Sequence, residues 1–171
     1  MPLALNIGLF QAGWLACVLG AARGLPLLGP AAAAAIVAWH ALRARRPARV
    51  LILAAVAVAV GGAFDSTLAA LGWMRFTPHS DEWLAPLWML ALWALFSTTL
   101  NVSLAWLHQR PALAAVLGAV SGPLAYWAGQ GLGALELRTP SVALAALALG
   151  WAALLPALLL LARRLDGGTR G

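Results

Sequence analysis

The chain has 171 residues, of which 63% are hydrophobic and only 9% are charged, and its mean hydropathy is +0.89. Soluble domains are about half apolar and about a quarter charged, so this composition excludes an ordinary soluble domain and predicts a membrane protein. The net charge of +6 would suggest a nucleic-acid partner in a soluble protein, but here the arginines lie at the ends of apolar segments, where they set membrane topology. We therefore expect no nucleic-acid partner.

Six apolar segments approach or reach the roughly 20 residues that a helix needs to cross a bilayer. Because a membrane span must satisfy its own backbone hydrogen bonds, and the alternation typical of a β-barrel is absent, these segments predict α-helices. No connecting segment is long enough to fold alone. We expect one all-α transmembrane domain over residues 1–165 and a short polar tail over 166–171. The predicted helices cover 3–22, 25–42, 50–71, 84–107, 112–132 and 141–162.

The distribution of arginine predicts the orientation of the bundle. Eight of the eleven arginines fall in segments that would share one side of the membrane with both termini, whereas Arg23, Arg75 and Arg138 would lie on the other side. Arginine-rich connections stay in the cytoplasm. Both termini are therefore expected to be cytoplasmic, which agrees with an even number of helices.

Asp65 is the one carboxylate that lies well inside an apolar segment. A charge at that depth is costly, so such a residue faces the interior, pairs with a partner or titrates. Asp65 is the candidate catalytic residue. The alternative interpretation is that it forms a purely structural ion pair. It would lie about 22 Å along the third helix, level with the cations Arg23 and Arg75 and with Tyr126 and Gln130 of the fifth helix.

A second polar group is expected nearer the cytoplasm. Thr98 and Asn101 would share one face of the fourth helix, with Asn6 and Gln11 of the first helix at a similar level. Hydrogen bonds between helices are the main interpretation of this group, and ligand binding is the alternative. Trp93, also on the fourth helix, falls in mid-membrane, where an indole needs a hydrogen-bond partner or lines a pocket.

Signatures of known catalytic sites are absent from the sequence: it has no HExxH, GxSxG, P-loop, CxxC or GxGxxG motif. The single Cys17 excludes a cysteine-rich metal site, and the histidines have no accompanying ligand set. We expect no metal and no cofactor. Whether the chain is an enzyme stays open.

Small residues form a stripe on the fifth helix, where Gly118 and Gly122 make one GxxxG pair and Gly129 and Gly133 make another. Such stripes allow two helix backbones to approach closely. Packing within one bundle is the favoured interpretation, and a homodimer interface is the alternative.

Three sequence blocks are distinctive: NIGLFQAGWLAC over 6–17, LWMLALWALFSTTLNVSLAWL over 87–107 and GPLAY over 122–126. With these blocks the chain resembles a family of small proteobacterial inner-membrane proteins classed as a domain of unknown function. The resemblance covers nearly the whole chain. It implies an all-helical fold in a bacterial cytoplasmic membrane and, more weakly, a link to lipid metabolism.

Three functions follow as hypotheses. The leading one is the handling or modification of a membrane lipid or other hydrophobic molecule, with Asp65 and the tryptophan-rich fourth helix lining the site. The second is a small transporter, with Asp65 as a titrating group and a polar path toward Asn101 and Asn6. The third is a scaffold for a membrane enzyme, which predicts an exposed stripe of small residues and no cavity.

Overall fold

The computed structural model describes residues 1–77 and 83–166. The loop residues 78–82 and residues 167–171 of the predicted tail lie outside the described residues, whereas Asp166, the first residue of that tail, belongs to the last helix. Within the described residues the chain forms six α-helices, a 3-10 turn and two short strands. In chain order these are α1 (Leu3–Ala22), α2 (Leu28–Arg43), α3 (Pro47–Ala70), β1 (Met74–Phe76), α4 (Leu87–Ser97), the 3-10 turn (Ala105–Leu107), α5 (Pro111–Gly131), β2 (Leu135–Leu137) and α6 (Pro140–Asp166).

The predicted all-helical class is confirmed. Four of the described helices, α1, α3, α5 and α6, are long and apolar enough to cross a membrane, with mean hydropathies from 1.4 to 2.3. Pro47 and Pro111 occupy the first turns of α3 and α5, where the missing proline N–H costs nothing. Helix α2 has 16 residues and α4 has 11, so both are shorter than the other four.

The helices pack as three successive hairpins, α1–α2, α3–α4 and α5–α6. The first helix of each hairpin is followed by a glycine in the left-handed region: Gly24 (φ 72°), Gly72 (φ 70°) and Gly133 (φ 87°). Glycine adopts this conformation without a Cβ penalty and so ends each helix cleanly. Helix α4 also packs against α1 and α2, whereas the α5–α6 hairpin joins the rest largely through contacts between α6 and α3.

A small antiparallel sheet, which was not predicted from the sequence, joins the second and third hairpins at the end of the bundle opposite the start of α1. Strands β1 and β2 pair with Met74 opposite Leu137 and Phe76 opposite Leu135, and all four of these side chains are buried. The N–H of Thr77 donates to the Ala134 carbonyl at 2.9 Å and extends the pairing. The two loops are therefore ordered by each other.

The fourth helix differs from the expectation of one continuous helix over 84–107. The α-helix ends at Ser97, and turns lead from there to the 3-10 turn. The hydroxyls of Ser97, Thr98 and Thr99 each donate to the carbonyl three residues earlier, at 2.6 to 2.7 Å. Such side chains compete with the backbone for hydrogen bonds, and three in succession favour the end of the helix here.

The unwound segment after α4 obtains its hydrogen bonds from other parts of the bundle. The buried Asn6 of α1 donates through Nδ2 to the Thr98 carbonyl at 3.1 Å and accepts the Ser103 N–H at 3.3 Å. His108 Nε2 donates to the Leu100 carbonyl at 2.9 Å. Buried backbone outside a helix or sheet persists only where its polar groups find such partners. Asn6 therefore holds the unwound segment in place, in line with the structural interpretation of the inner polar group.

We expect Asn6→Leu to lower the free energy of unfolding by about 2–4 kcal/mol, because it leaves the buried Thr98 carbonyl and the Ser103 N–H without a partner. Gln11→Leu is the matched control, since Gln11 is an exposed amide on the same helix. Thermal unfolding in detergent, followed by a thiol-reactive dye that labels the buried Cys17, measures both. Equal losses of stability in the two variants would contradict this role of Asn6.

Candidate functional site

Asp65 lies at the centre of the candidate site and is fully buried. Trp93 of α4 donates its indole N–H to Oδ2 at 2.7 Å, and Tyr126 of α5 donates its hydroxyl to Oδ1 at 2.6 Å. Both carboxylate oxygens are thus bound by neutral donors, each from a different helix. The carboxylate connects α3, α4 and α5 through two short hydrogen bonds.

Glycines on α3 and α5 make room for the aromatic side chains around this carboxylate. A Cβ on Gly61 would overlap the Trp93 ring, and a Cβ on Gly122 would overlap the Trp151 ring. Trp93 and Trp151 stack on each other, with ring centroids 4.8 Å apart and planes inclined by 15°. The second and third hairpins therefore each present a tryptophan from their second helix, packed on a glycine of their first, and these two tryptophans stack on each other between the hairpins.

Asp65 and Tyr126 occupy corresponding positions in these two hairpins. Asp65 follows Gly61 by four residues and precedes the left-handed Gly72 by seven. Tyr126 stands at the same distances from Gly122 and Gly133. Because four residues make about one helical turn, each polar side chain lies one turn beyond the glycine that seats a tryptophan. These matching positions on α3 and α5 bring the Asp65 carboxyl group and the Tyr126 phenol together.

A groove of about 450 Å³ lies beside this cluster, between α1, α4, α5 and α6. Its wall is rich in aromatic rings, including Trp93, Tyr126 and Trp151. Gln11 of α1 and Leu124 of α5 line it and are exposed, so the groove opens on the surface of the bundle between these two helices. Asp65 does not itself line the groove. Trp93 and Tyr126 contact both the groove and the carboxylate.

The other residues expected at the level of Asp65 lie elsewhere. Gln130 accepts the Leu137 N–H at 2.7 Å and thereby fixes strand β2 to α5. Arg75 lies in β1, opposite Glu136 of β2, and Arg23 is exposed at the end of α1. The expected cationic neighbours of Asp65 are thus replaced by the hydroxyl of Tyr126 and the indole of Trp93.

The inner polar residues divide between two roles. Asn6 is bound to the unwound backbone, as described above. Thr98 and Asn101 line a second and larger cavity, of about 790 Å³, at the end of the bundle where α1 begins and α6 ends. Asn101 donates to the Ala162 carbonyl of α6 at 3.4 Å. The described residues contain no cluster of three or more potential metal ligands.

Trp151 is the main member of the site that sequence reasoning missed. It falls in the middle of an apolar helix, as Trp93 does. That position could have identified Trp151, because a tryptophan in mid-membrane needs a hydrogen-bond partner or lines a pocket. Its indole nitrogen is buried and makes no hydrogen bond of standard geometry to the rest of the chain. Trp151 therefore adds a donor to the wall of the groove beside the Tyr126 hydroxyl.

Three glycines of the predicted stripe, Gly118, Gly122 and Gly129, are buried in α5, whereas Gly133 is exposed in the turn after it. Gly118 and Gly122 face Trp151 of α6, Gly129 contacts Leu135 of β2, and Gly133 lies near Ala22 of α1. The close contacts of Gly118 and Gly122 lie within the chain, and Gly133 is required by its positive φ. The homodimer stays a prediction.

Fold and site together define an all-helical protein with apolar, membrane-length helices and a buried carboxylate joining two helical hairpins. The chain belongs to the family described as a protein of unknown function (DUF2878), whose model matches residues 3–157. The expected membership of a domain family of unknown function is confirmed. No curated protein and no solved structure gives a significant match to the chain.

We expect Tyr126→Phe to lower the free energy of unfolding by about 1–3 kcal/mol, because Asp65 Oδ1 then lacks its donor in a buried site. Trp127→Phe serves as the control, since it truncates an exposed aromatic ring on the next residue. Chemical denaturation in mild detergent compares the two. A Tyr126→Phe protein as stable as Trp127→Phe would show that this hydrogen bond contributes nothing.

Proposed function

We propose that this protein is a multi-pass protein of the bacterial cytoplasmic membrane, with both termini in the cytoplasm, that handles or modifies a membrane lipid or another hydrophobic molecule. The observation that carries the proposal is the groove lined by aromatic rings beside the buried Asp65. Apolar cavities with a few convergent polar groups are the usual form of small-molecule sites.

The position of the groove supports direct entry from the bilayer. Its lining residues on α5, from Ser121 to Gly129, lie about 15–27 Å along that helix, within the depth of the hydrocarbon core. The groove opens between α1 and α5, which face outward from the bundle. A lipid chain in the membrane would therefore reach the groove laterally, without passing through water.

The polar groups at the groove define what the site would do. Because the Tyr126 hydroxyl gives its hydrogen to Asp65, its oxygen can accept a hydrogen bond from a hydroxyl group of a bound molecule. The indole N–H of Trp151 is the donor that a carbonyl or hydroxyl oxygen of that molecule would meet. Asp65 stands behind Tyr126 and Trp93 and fixes both by hydrogen bonds. In this proposal Asp65 acts on a bound molecule through Tyr126: as the Tyr126 oxygen takes the proton of a substrate hydroxyl, its own proton passes to Asp65.

Transport is a second candidate, and the unwound end of α4 favours it. Interrupted helices at membrane depth are a feature of transporter binding sites. Here the interruption falls between the two cavities, since Phe96 lines the groove and Ser97 lines the larger cavity. A transported molecule would pass the cluster formed by Phe96, Trp93 and Trp151. We do not extend the proposal to a scaffold, because that hypothesis predicts a chain without a cavity.

Comparative lipid mass spectrometry on a gene-deletion strain tests the proposal. The strain is complemented with the wild type, with Asp65→Asn or with Glu136→Gln, the last being the same substitution at an exposed acidic residue. Asn keeps an acceptor for Trp93 and a hydrogen-bond partner for Tyr126, so Asp65→Asn is expected to fold. We expect deletion to change one lipid class and only the wild type and Glu136→Gln to restore it.

Two results would count against the proposal. Restoration by Asp65→Asn, at protein levels matched by immunoblot, would reject Asp65 as part of the site. An unchanged lipid profile on deletion would reject the lipid function itself, and flux measurements in proteoliposomes would then test the transport candidate.

A further inference from the structure

The cavity of about 790 Å³ at the end of the bundle where α1 begins and α6 ends is lined by four arginines from one short segment. Arg43 ends α2, Arg45 and Arg46 lie in the connecting turn, and Arg49 belongs to the first turn of α3. Among the described lining residues, Asp166 is the one acidic side chain. The cavity therefore carries a marked excess of positive charge.

Two of these arginines are held in position by the fold. The Arg43 guanidinium lies over the Trp39 ring, 4.6 Å from its centroid, and Arg49 donates through Nη1 to the Leu165 carbonyl at 2.6 Å. A guanidinium has five N–H donors, so each contact leaves donors free for a ligand. The arginines are thus partly preorganised around the cavity.

Two further polar atoms at this cavity are buried and have no hydrogen-bond partner in the described chain: His40 Nε2 and Asn101 Oδ1. Buried polar atoms in proteins are almost always paired, so an unpaired one indicates a missing ligand or water. The imidazole can donate to an anion, and the amide oxygen can accept from a hydroxyl group. Leu5 and Leu53 supply an apolar wall beside them.

Arginines that only set membrane topology need to lie near a helix end, and topology does not require them to surround a cavity with unpaired buried atoms. We propose that this cavity binds a phosphate group, carried either by the head group of an anionic phospholipid or by a small soluble phosphate ester. Planar guanidinium groups bind phosphate oxygens in pairs. Basic pockets between helix ends on the cytoplasmic side are suited to phospholipid head groups.

This site is separate from the groove, and the proposal does not depend on any role of Asp65. In the ligated state the arginines and His40 donate to phosphate oxygens. Asn101 accepts a hydroxyl of the ester, and the apolar wall contacts its carbon chain where it has one.

Thermal unfolding of the full-length protein in dodecyl maltoside, read by labelling of Cys17, tests the site. The titrants are dihexanoyl-phosphatidylglycerol, glycerol 3-phosphate and inorganic phosphate, with dihexanoyl-phosphatidylcholine as a zwitterionic control of the same chain length. The variants are Arg45→Gln and Arg164→Gln. Both replace an exposed arginine at the same end of the bundle, but Arg164 does not line the cavity.

We expect a saturable rise of Tm with a phosphate titrant and about a fivefold higher half-saturating concentration in Arg45→Gln, with no change in Arg164→Gln. Saturation by phosphatidylglycerol alone would identify a lipid head group. Saturation by glycerol 3-phosphate or phosphate in the same concentration range would identify a soluble ester. A lack of saturable stabilisation, an equal effect of phosphatidylcholine, or equal weakening in both variants would overturn the proposal.

Discussion

The hydrogen bonds from Trp93 and Tyr126 to the Asp65 carboxylate are the interaction on which the centre of this structure depends. A fully buried acid without partners would cost several kcal/mol, and breaking such an arrangement leaves the cost uncompensated. The two donors belong to different hairpins, so satisfying the acid also holds α5 against α3 and α4. Within each of these two hairpins, the helices can approach closely only because glycine stands where a tryptophan ring rests: Gly61 between α3 and α4, and Gly122 between α5 and α6.

The same interaction determines what the groove can contain. Trp93 and Tyr126 form part of its wall, and their orientation is fixed from behind by the acid. A bound molecule would therefore meet a rigid aromatic surface with a tyrosine hydroxyl already aligned. The end of α4 lies between the groove and the arginine-lined cavity, because Phe96 borders one and Ser97 the other. A shift of this helix end would change both cavities together.

Much of the fold was predictable from the sequence, because the length of an apolar segment and the backbone's need for hydrogen bonds are local properties. Asp65 was predictable for the same reason, since a lone charge in an apolar segment stands out. Its actual partners were not, because depth along a helix does not tell which face a neighbouring helix presents. The sequence correctly predicted that Tyr126 lies at the depth of Asp65. It did not predict that Trp93 donates a hydrogen bond to Asp65.

The break in α4 and the paired strands could not be read from the sequence, because both depend on distant residues. Asn6 supplies hydrogen bonds to a segment more than 90 residues away. Strand β1 is ordered by β2, about 60 residues along the chain. The convergence of four arginines on one cavity is likewise a property of the packed helix ends, since the sequence shows only that they are neighbours along the chain.

Native mass spectrometry of the detergent-solubilised protein tests most directly whether the groove holds a hydrophobic molecule. Ala125→Trp places an indole in the groove, and Leu149→Trp places one on an exposed part of α6 outside it. We predict one bound lipid-sized molecule on the wild type and on Leu149→Trp, and its loss from Ala125→Trp. An empty wild type, or a bound molecule that persists in Ala125→Trp, would contradict the groove as the functional site.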